Sequence, residues 1–268
     1  MNAHVTSEAQ LLNVRQLEVV YHDVATAVQG VSIEVAQSSI VAMIGPNGAG
    51  KSTTLRAISG FLPAEDVKVT DGTILFEGSS LRGLLPHQIS RRGVVLVPER
   101  EKVFQTLTVQ ENLDFSLTYK ARPRRDEVYA YFPPLAERRT QVTGYLSGGE
   151  KQMLAIGMAL VCEPKLLLVD ELSLGLAPRV TEEIMSILRT INGDLGIAML
   201  VVEQNAAAAL RIASFAYVLE GGRVVFKGEP ERLLNHQDIR EFYLGGSKEK
   251  ARSYRELRQY ARKRRWWG

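Results

Sequence analysis

The chain has 268 residues, 45% hydrophobic and 24% charged, an ordinary globular balance that fits one large α/β domain or one domain carrying an inserted sub-domain. Its single cysteine, Cys162, excludes an internal disulfide framework and points to a reducing, cytosolic compartment. The net charge of +3 is unevenly spread: residues 247–268 hold nine Lys or Arg against Glu249 and Glu256, a net +7, so the preceding 246 residues carry −4. In chain order, residues 13–20 and 28–35 read as two strands, and Ile40–Ile44 as a short buried strand leading into a glycine-rich stretch. Thr53–Ser59 reads as a helix capped by Gly60, and Pro63–Gly72 as a loop. Thr73–Phe76 and Gly93–Val97 continue the strands. Residues 99–145 turn polar and helical, punctuated by Pro123, Pro133 and Pro134, as a helical insertion would. Gly148–Val161 reads as a helix with Cys162 packed at its end, Leu166–Val169 as a buried strand, Val180–Thr190 as a helix, Ile197–Val202 as a strand and Ala206–Ile212 as a helix. Phe215–Leu219 and Arg223–Phe226 pair through the turn Glu220-Gly221-Gly222.

Alternating strands and helices imply a mainly parallel, doubly wound sheet. No stretch approaches the roughly 20 apolar residues of a membrane-spanning helix, and MNAHVTSEAQ lacks the charged start and apolar centre of a secretory signal. If the protein serves a membrane, other chains do the crossing.

Gly45-Pro46-Asn47-Gly48-Ala49-Gly50-Lys51-Ser52 satisfies G-x-x-x-x-G-K-[ST] in full, between a buried strand and a helix. Glycines let successive N–H groups converge on an anion, and the helix that follows through Thr53 turns its positive end to the same place. Lys51 adds a mobile positive charge, and the Ser52 hydroxyl is a Mg2+ ligand. The motif implies a nucleoside triphosphate but leaves kinases, GTPases and ATPases open. Lys165–Glu171 reads as a buried strand ending in two carboxylates, at the sheet edge where ligands of parallel sheets bind. Asp170 is placed to hold Mg2+ and Glu171 to orient or deprotonate water. Leu146-Ser147-Gly148-Gly149-Glu150-Lys151-Gln152, with Ser147 23 positions before Asp170, is a second glycine-rich helix start and so a second anion site.

That third segment, with the order of all three motifs, resembles the ATP-binding cassette family over roughly residues 13–240. The resemblance implies a P-loop NTPase (RecA-like) core with a mainly parallel sheet, an antiparallel β sub-domain and an inserted helical sub-domain at about 99–160, followed by a basic tail at 241–268. It implies ATP as substrate, Mg2+ as cofactor, and two subunits, identical or sister chains, closing head to tail so that Ser147, Gly148, Gly149 and Glu150 face the ATP of the opposite subunit. Tyr21 matches the aromatic that stacks on adenine, although an aromatic at a strand end also suits a core. Ser173–Pro178 occupies the dimer-interface loop.

Pro98–Phe104, Ser173–Pro178 and Val202–Asn205 look like one of the two ATPase subunits of branched-chain and hydrophobic amino acid importers, some members of which carry urea, short amides or aromatic acids. This branch implies permease chains, an extracytoplasmic binding protein, and a peripheral site on the cytoplasmic face of the inner membrane. Glu99 stands where most cassettes have a glutamine that senses Mg2+ and the γ-phosphate; a carboxylate can still ligate the metal but adds negative charge that Arg100 or the metal must offset. Gln204 replaces the usual histidine and can still donate to the γ-phosphate, uncharged. Leu172 and Met158 also depart from common residues, a proline and an arginine, without a functional reading. Rival readings are a compact exporter ATPase of the lipopolysaccharide type, a soluble cassette ATPase acting on ribosomes or DNA, and a non-hydrolysing regulatory partner; the intact Lys51, Ser52, Asp170, Glu171 and Ser147 argue against the last. The basic tail reads either as a solvated helix or, with Trp266-Trp267, as a contact for anionic membrane or permease loops; nucleic acid is the least favoured partner.

Overall fold

A computed structural model describes residues 10–62, 66–100, 102–116 and 124–235. The basic tail and the readings placed on it lie outside the described residues. In chain order the elements are β1 (Gln10–Tyr21), β2 (Ala25–Ala36), β3 (Ile40–Ile44), α1 (Lys51–Ser59), β4 (Val67–Phe76), β5 (Ser79–Ser80), α2 (Pro86–Arg91) and β6 (Val94–Val97). There follow α3 (Val109–Ser116), α4 (Arg124–Tyr131), α5 (Pro133–Glu137), a 3-10 turn at Thr143–Tyr145, and α6 (Gly148–Leu160). The chain then runs through β7 (Leu166–Asp170), α7 (Pro178–Leu195), β8 (Ala198–Glu203), α8 (Ala206–Ile212), β9 (Phe215–Glu220), β10 (Arg223–Gly228) and α9 (Pro230–Asn235).

Two sheets form. One has the order β2-β1-β4-β5 and is antiparallel; the other has the order β10-β9-β3-β8-β7-β6, parallel except for the β9–β10 hairpin. β3 and β6 are apolar at every position, and β7 and β8 are apolar up to their terminal Asp170 and Glu203, because both of their faces are covered. Leu166 and Leu168 of β7, with Leu200 and Val202 of β8, face Leu55 and Ile58 of α1 and the inner face of the antiparallel sheet, Leu12, Ile33 and Phe76. The alternate residues Leu167, Val169, Met199 and Val201 face Leu154 and Ile156 of α6 and Leu188 and Ile191 of α7. Helices α1 and α6 therefore sit on opposite faces of the parallel sheet. A third cluster joins Ala42 and Ile44 to Ala206, Ala209 and Leu210 of α8.

The segment read as a loop to Gly72 is partly strand. β4 begins at Val67, and Val67, Lys68 and Val69 pair with Tyr21, Val20 and Val19 of β1. The register shifts between Arg15 and Glu18, opposite Gly72, which adopts φ +91 with the Arg15 and Gln16 carbonyls where a Cβ would stand. A bulge of this kind needs the glycine that made the segment read as a turn. α7 is longer than expected, with Pro178 at its first turn and Gly196 closing it at φ +65. α2 and α9 escaped prediction because each buries a single apolar residue, Ile89 or Leu233, and shows no helical period.

Leu168 is fully buried between α1 and the β7 neighbours. Leu168→Ala should lower the unfolding free energy by about 2–5 kcal/mol, read from urea unfolding of the purified chain.

Candidate active site

The ends of β3 and β7 meet at one edge of the parallel sheet, with β8 between them. From β3 the chain enters the loop Gly45–Gly50, whose Pro46, Asn47 and Gly48 are exposed and whose Ala49 is buried beneath. Gly50 caps α1 at φ +94, and a Cβ there would lie 2.6 Å from the Ala27 carbonyl oxygen of β2, so only glycine fits. No side chain caps α1. Its first-turn N–H groups are thus left to whatever anion the loop holds.

Lys51 is 3% exposed. Its Nζ donates to the Gly45 carbonyl at 2.9 Å and the Pro46 carbonyl at 3.1 Å, and pairs with Glu171 Oε1 at 3.1 Å. The Ser52 hydroxyl donates to Asp170 Oδ1 at 2.8 Å. Burial holds the Asp170 carboxyl above its ordinary range, against the Ser52 hydrogen bond and with help from the neighbouring Glu171 charge. Glu171 leaves the strand with φ +45, held by its N–H donating to the Val202 carbonyl at 2.9 Å. A side chain in that region is strained and is kept there by its surroundings. The Ser52 hydroxyl and the Asp170 carboxylate are hard oxygen donors that cost energy to bury unneutralised. Among the described residues no group of three His, Cys, Asp or Glu could hold a metal by itself. That donor set fits a small hard cation completed by phosphate and water oxygens.

Tyr21 is half-buried at the end of β1, with its hydroxyl 3.3 Å from Thr53 Oγ1 at the start of α1. The structure thus draws Tyr21, the 45–53 loop, Asp170 and Glu171 together. Glu99 lies just past β6, half-buried, with Arg100 Nε at 3.1 Å; that guanidinium is 82% exposed. Gln204 follows β8 with its side chain exposed. Ser147 caps α6: its Oγ accepts from Glu150 N at 3.3 Å, and its own N–H donates to Glu150 Oε2 at 2.8 Å. Arg138 Nε pairs with the other Glu150 oxygen at 2.7 Å. Ser147 and Gly148 are exposed, and a Cβ on Gly149 would meet Val180 of α7.

Two residues enter the site unannounced. Glu203, fully buried at the end of β8, accepts from Ser173 N at 3.0 Å and from the Ser173 hydroxyl, tying the segment after Glu171 to the neighbouring strand. Lys102 donates to Gln152 Oε1 of α6. A charged residue closing one strand, or lying in a loop, carries no signal by itself; only the strand register brings these together.

A family model describing the ABC transporter matches residues 28–173. A high-affinity branched-chain amino acid transport ATP-binding protein, BraG of Pseudomonas aeruginosa, is 43% identical over 230 residues, 84% of this chain and 96% of that protein. The chain belongs to the ABC transporter family. A probable branched-chain amino acid transport ATP-binding protein, LivF of Archaeoglobus fulgidus, is 36% identical over 80% of this chain and 91% of its own length. Among solved structures, the ADP conformation of the ATP-binding cassette MJ1267 matches with a TM-score of 0.76 and 26% identity, covering 88% of this chain and 99% of that one. This ABC transporter subunit binds nucleotide and is an ATPase. No helix among its described residues is long and apolar enough to cross a membrane.

Burial pushes the Glu203 carboxyl up from 4.5 to about 7, despite the hydrogen bonds from Ser173. The unfolded chain releases this proton near 4.5, while the folded chain keeps it until about 7. The folded state therefore holds the extra proton in that window, and the Glu203 contribution to stability falls as pH rises through it. Urea midpoints at pH 5 and pH 7.5 should show wild type losing ground relative to Glu203→Gln at the higher pH.

Proposed function

We propose that this chain is the ATP-hydrolysing subunit of an importer for branched-chain amino acids or related small polar, amide or aromatic-acid solutes. It works as one half of a dimer, with itself or a sister ATPase, docked on transmembrane permease chains at the cytoplasmic face of the inner membrane and served by an extracytoplasmic binding protein. The observation that carries the reading is the cluster of buried Lys51, Asp170 and Glu171 with half-buried Ser52 at the carboxyl edge of the parallel sheet. The amino acid transport names of the two curated relatives support the cargo class.

In this reading residues 99–160 form an inserted helical sub-domain of a cassette spanning 1–240. Tyr21 stacks on adenine. The N–H groups of the 45–53 loop and α1 cradle the phosphates of ATP, and the Lys51 ammonium exchanges its loop carbonyls and Glu171 for β- and γ-phosphate oxygens. Ser52 and Asp170, with Glu99, would hold Mg2+, which would supply positive charge beside the phosphates. Glu171, released from Lys51, orients a water and accepts its proton as the oxygen attacks the γ-phosphorus and the bond to the β-phosphate oxygen breaks. Gln204 donates its amide N–H to the γ-phosphate.

Ser147, Gly148, Gly149 and Glu150 serve the nucleotide of the opposite subunit. Two features support this: α1 and α6 occupy opposite faces of the sheet, and the exposed Ser147–Gly148 start of α6 is already ordered by its capping box.

Glu171→Gln keeps the size of the side chain and removes its basicity. It should cut the ATPase rate of the purified protein by at least about a hundredfold, the scale of a lost general base, and leave an ATP-trapped dimer visible by size-exclusion chromatography. In cells carrying only the variant, uptake of one class from a labelled panel of leucine, valine, urea, short amides and aromatic acids should be lost. Wild-type turnover by the variant would remove Glu171 from the role of base; intact uptake of the whole panel would turn the reading toward export.

A further inference from the structure

The chain turns sharply at Glu171, and β8 holds the turn on both sides. Asp170, the last residue of β7, stands beside Val202, and the Glu171 N–H donates to the Val202 carbonyl at 2.9 Å. Glu171 then takes φ +45, a left-handed conformation that a residue with a side chain keeps only under restraint. Two residues on, the Ser173 N–H donates not to a strand carbonyl but to Glu203 Oε1 at 3.0 Å, and the Ser173 hydroxyl donates to Glu203 Oε2. Between these two anchors Leu172 is buried, and the Leu174 N–H returns to the Glu171 carbonyl at 3.4 Å. The side chain of Glu171, aimed by this turn, meets the Lys51 ammonium at 3.1 Å.

Packing alone does not call for an acid at position 203. Glu203 is fully buried, where a carboxyl is costly unless hydrogen-bonded. An apolar residue would extend the run Ala198–Val202 without that penalty. What the carboxylate adds is direction, since it offers two oxygens to the two donors of one residue. The grip does not depend on charge. A hydroxyl both donates and accepts, so a protonated Glu203, or a glutamine, can donate to Ser173 Oγ while its other oxygen accepts from the Ser173 N–H.

We propose that Glu203 is a positioning residue for ATP hydrolysis: by gripping Ser173 through both carboxylate oxygens, it fixes the turn that holds Glu171 against the phosphate loop. This rests on the function proposed above, in which Glu171 is the base. Glu203 acts through the backbone of residues 171–173 and needs no contact with nucleotide or metal. Nucleotide binding depends on the 45–53 loop and α1, so the effect falls on kcat and not on ATP affinity.

The test reads kcat, KM, the ATP Kd and Tm in the purified full chain. Glu203→Leu keeps the bulk and removes both acceptors. It should lower kcat at least about tenfold, as a misplaced catalytic group does, with the ATP Kd within about twofold of wild type. Glu203→Gln keeps the grip and should hold kcat within about threefold of wild type. In a Glu171→Gln background, Glu203→Leu should lower the residual rate by no more than about twofold, because the base it positions is already gone. If Glu203→Leu does not fold, Ser173→Ala carries the test: it removes the hydroxyl alone and should lower kcat about threefold or more at an unchanged ATP Kd. The proposal is overturned by an ATP Kd that rises as far as kcat falls, by a Glu203→Gln variant as slow as Glu203→Leu, by the same loss with and without Glu171, or by wild-type kcat in both Glu203→Leu and Ser173→Ala. Glu171→Gln alone is the control. Wild-type turnover in that variant places the fault in the functional reading; an inactive Glu171→Gln beside fully active Glu203→Leu and Ser173→Ala places it in the grip.

Discussion

The Lys51 ammonium lies at 3% exposure, where an unpaired charge would cost several kcal/mol, and its partners come from the ends of two strands that do not touch. Gly45 and Pro46 follow β3, and Glu171 follows β7; β8 lies between them. The pairing exists only if three parallel strands finish at one level. The registers do this: Ile44 stands beside Glu203, and Asp170 beside Val202. The apolar strand interiors are the means by which that level is set, since slipping one strand by a residue would exchange its two buried faces.

The same edge is a crowded electrostatic neighbourhood. Buried carboxylates raise one another's proton affinity, and burial raises it further, yet in the proposed mechanism Asp170 and Glu171 act ionised beside a polyanion. Lys51 is buried and Lys102 half-buried, and each is tethered by neutral oxygens: loop carbonyls for one, an amide for the other. Neutral tethers fix a cation's position without spending its charge, which leaves it free to act on whichever anion is present.

The loop 45–52, the carboxylates at 170 and 171 and the start of α6 were legible because each is a local pattern: glycines where the backbone must converge, an apolar run that stops at acids, a serine three residues before a glutamate. The parallel sheet was legible from the uninterrupted apolar runs of β3, β7 and β8. The first half of β4 was not, because a bulge glycine and a turn glycine look alike until the partner strand is known. Lys102 and Glu203 were not, since their roles come from neighbours 50 and 30 residues away, Gln152 and Ser173. The short helices α2 and α9 carry too little apolar pattern to be seen.

The phosphate loop is also held from behind. Ala27 of β2 has its carbonyl against both Gly50 and Gly222, while Gly222 donates to the Ala49 carbonyl at 3.1 Å and accepts from Gln29 N at 2.7 Å. The antiparallel sheet, the β9–β10 turn and the loop are thus stitched at one point, and Tyr21 belongs to that same antiparallel sheet, reaching Thr53 through its hydroxyl. The proposed adenine platform and the phosphate cradle are in effect two marks on one ruler. The distance between the proposed platform and the proposed cradle is therefore set by the fold itself.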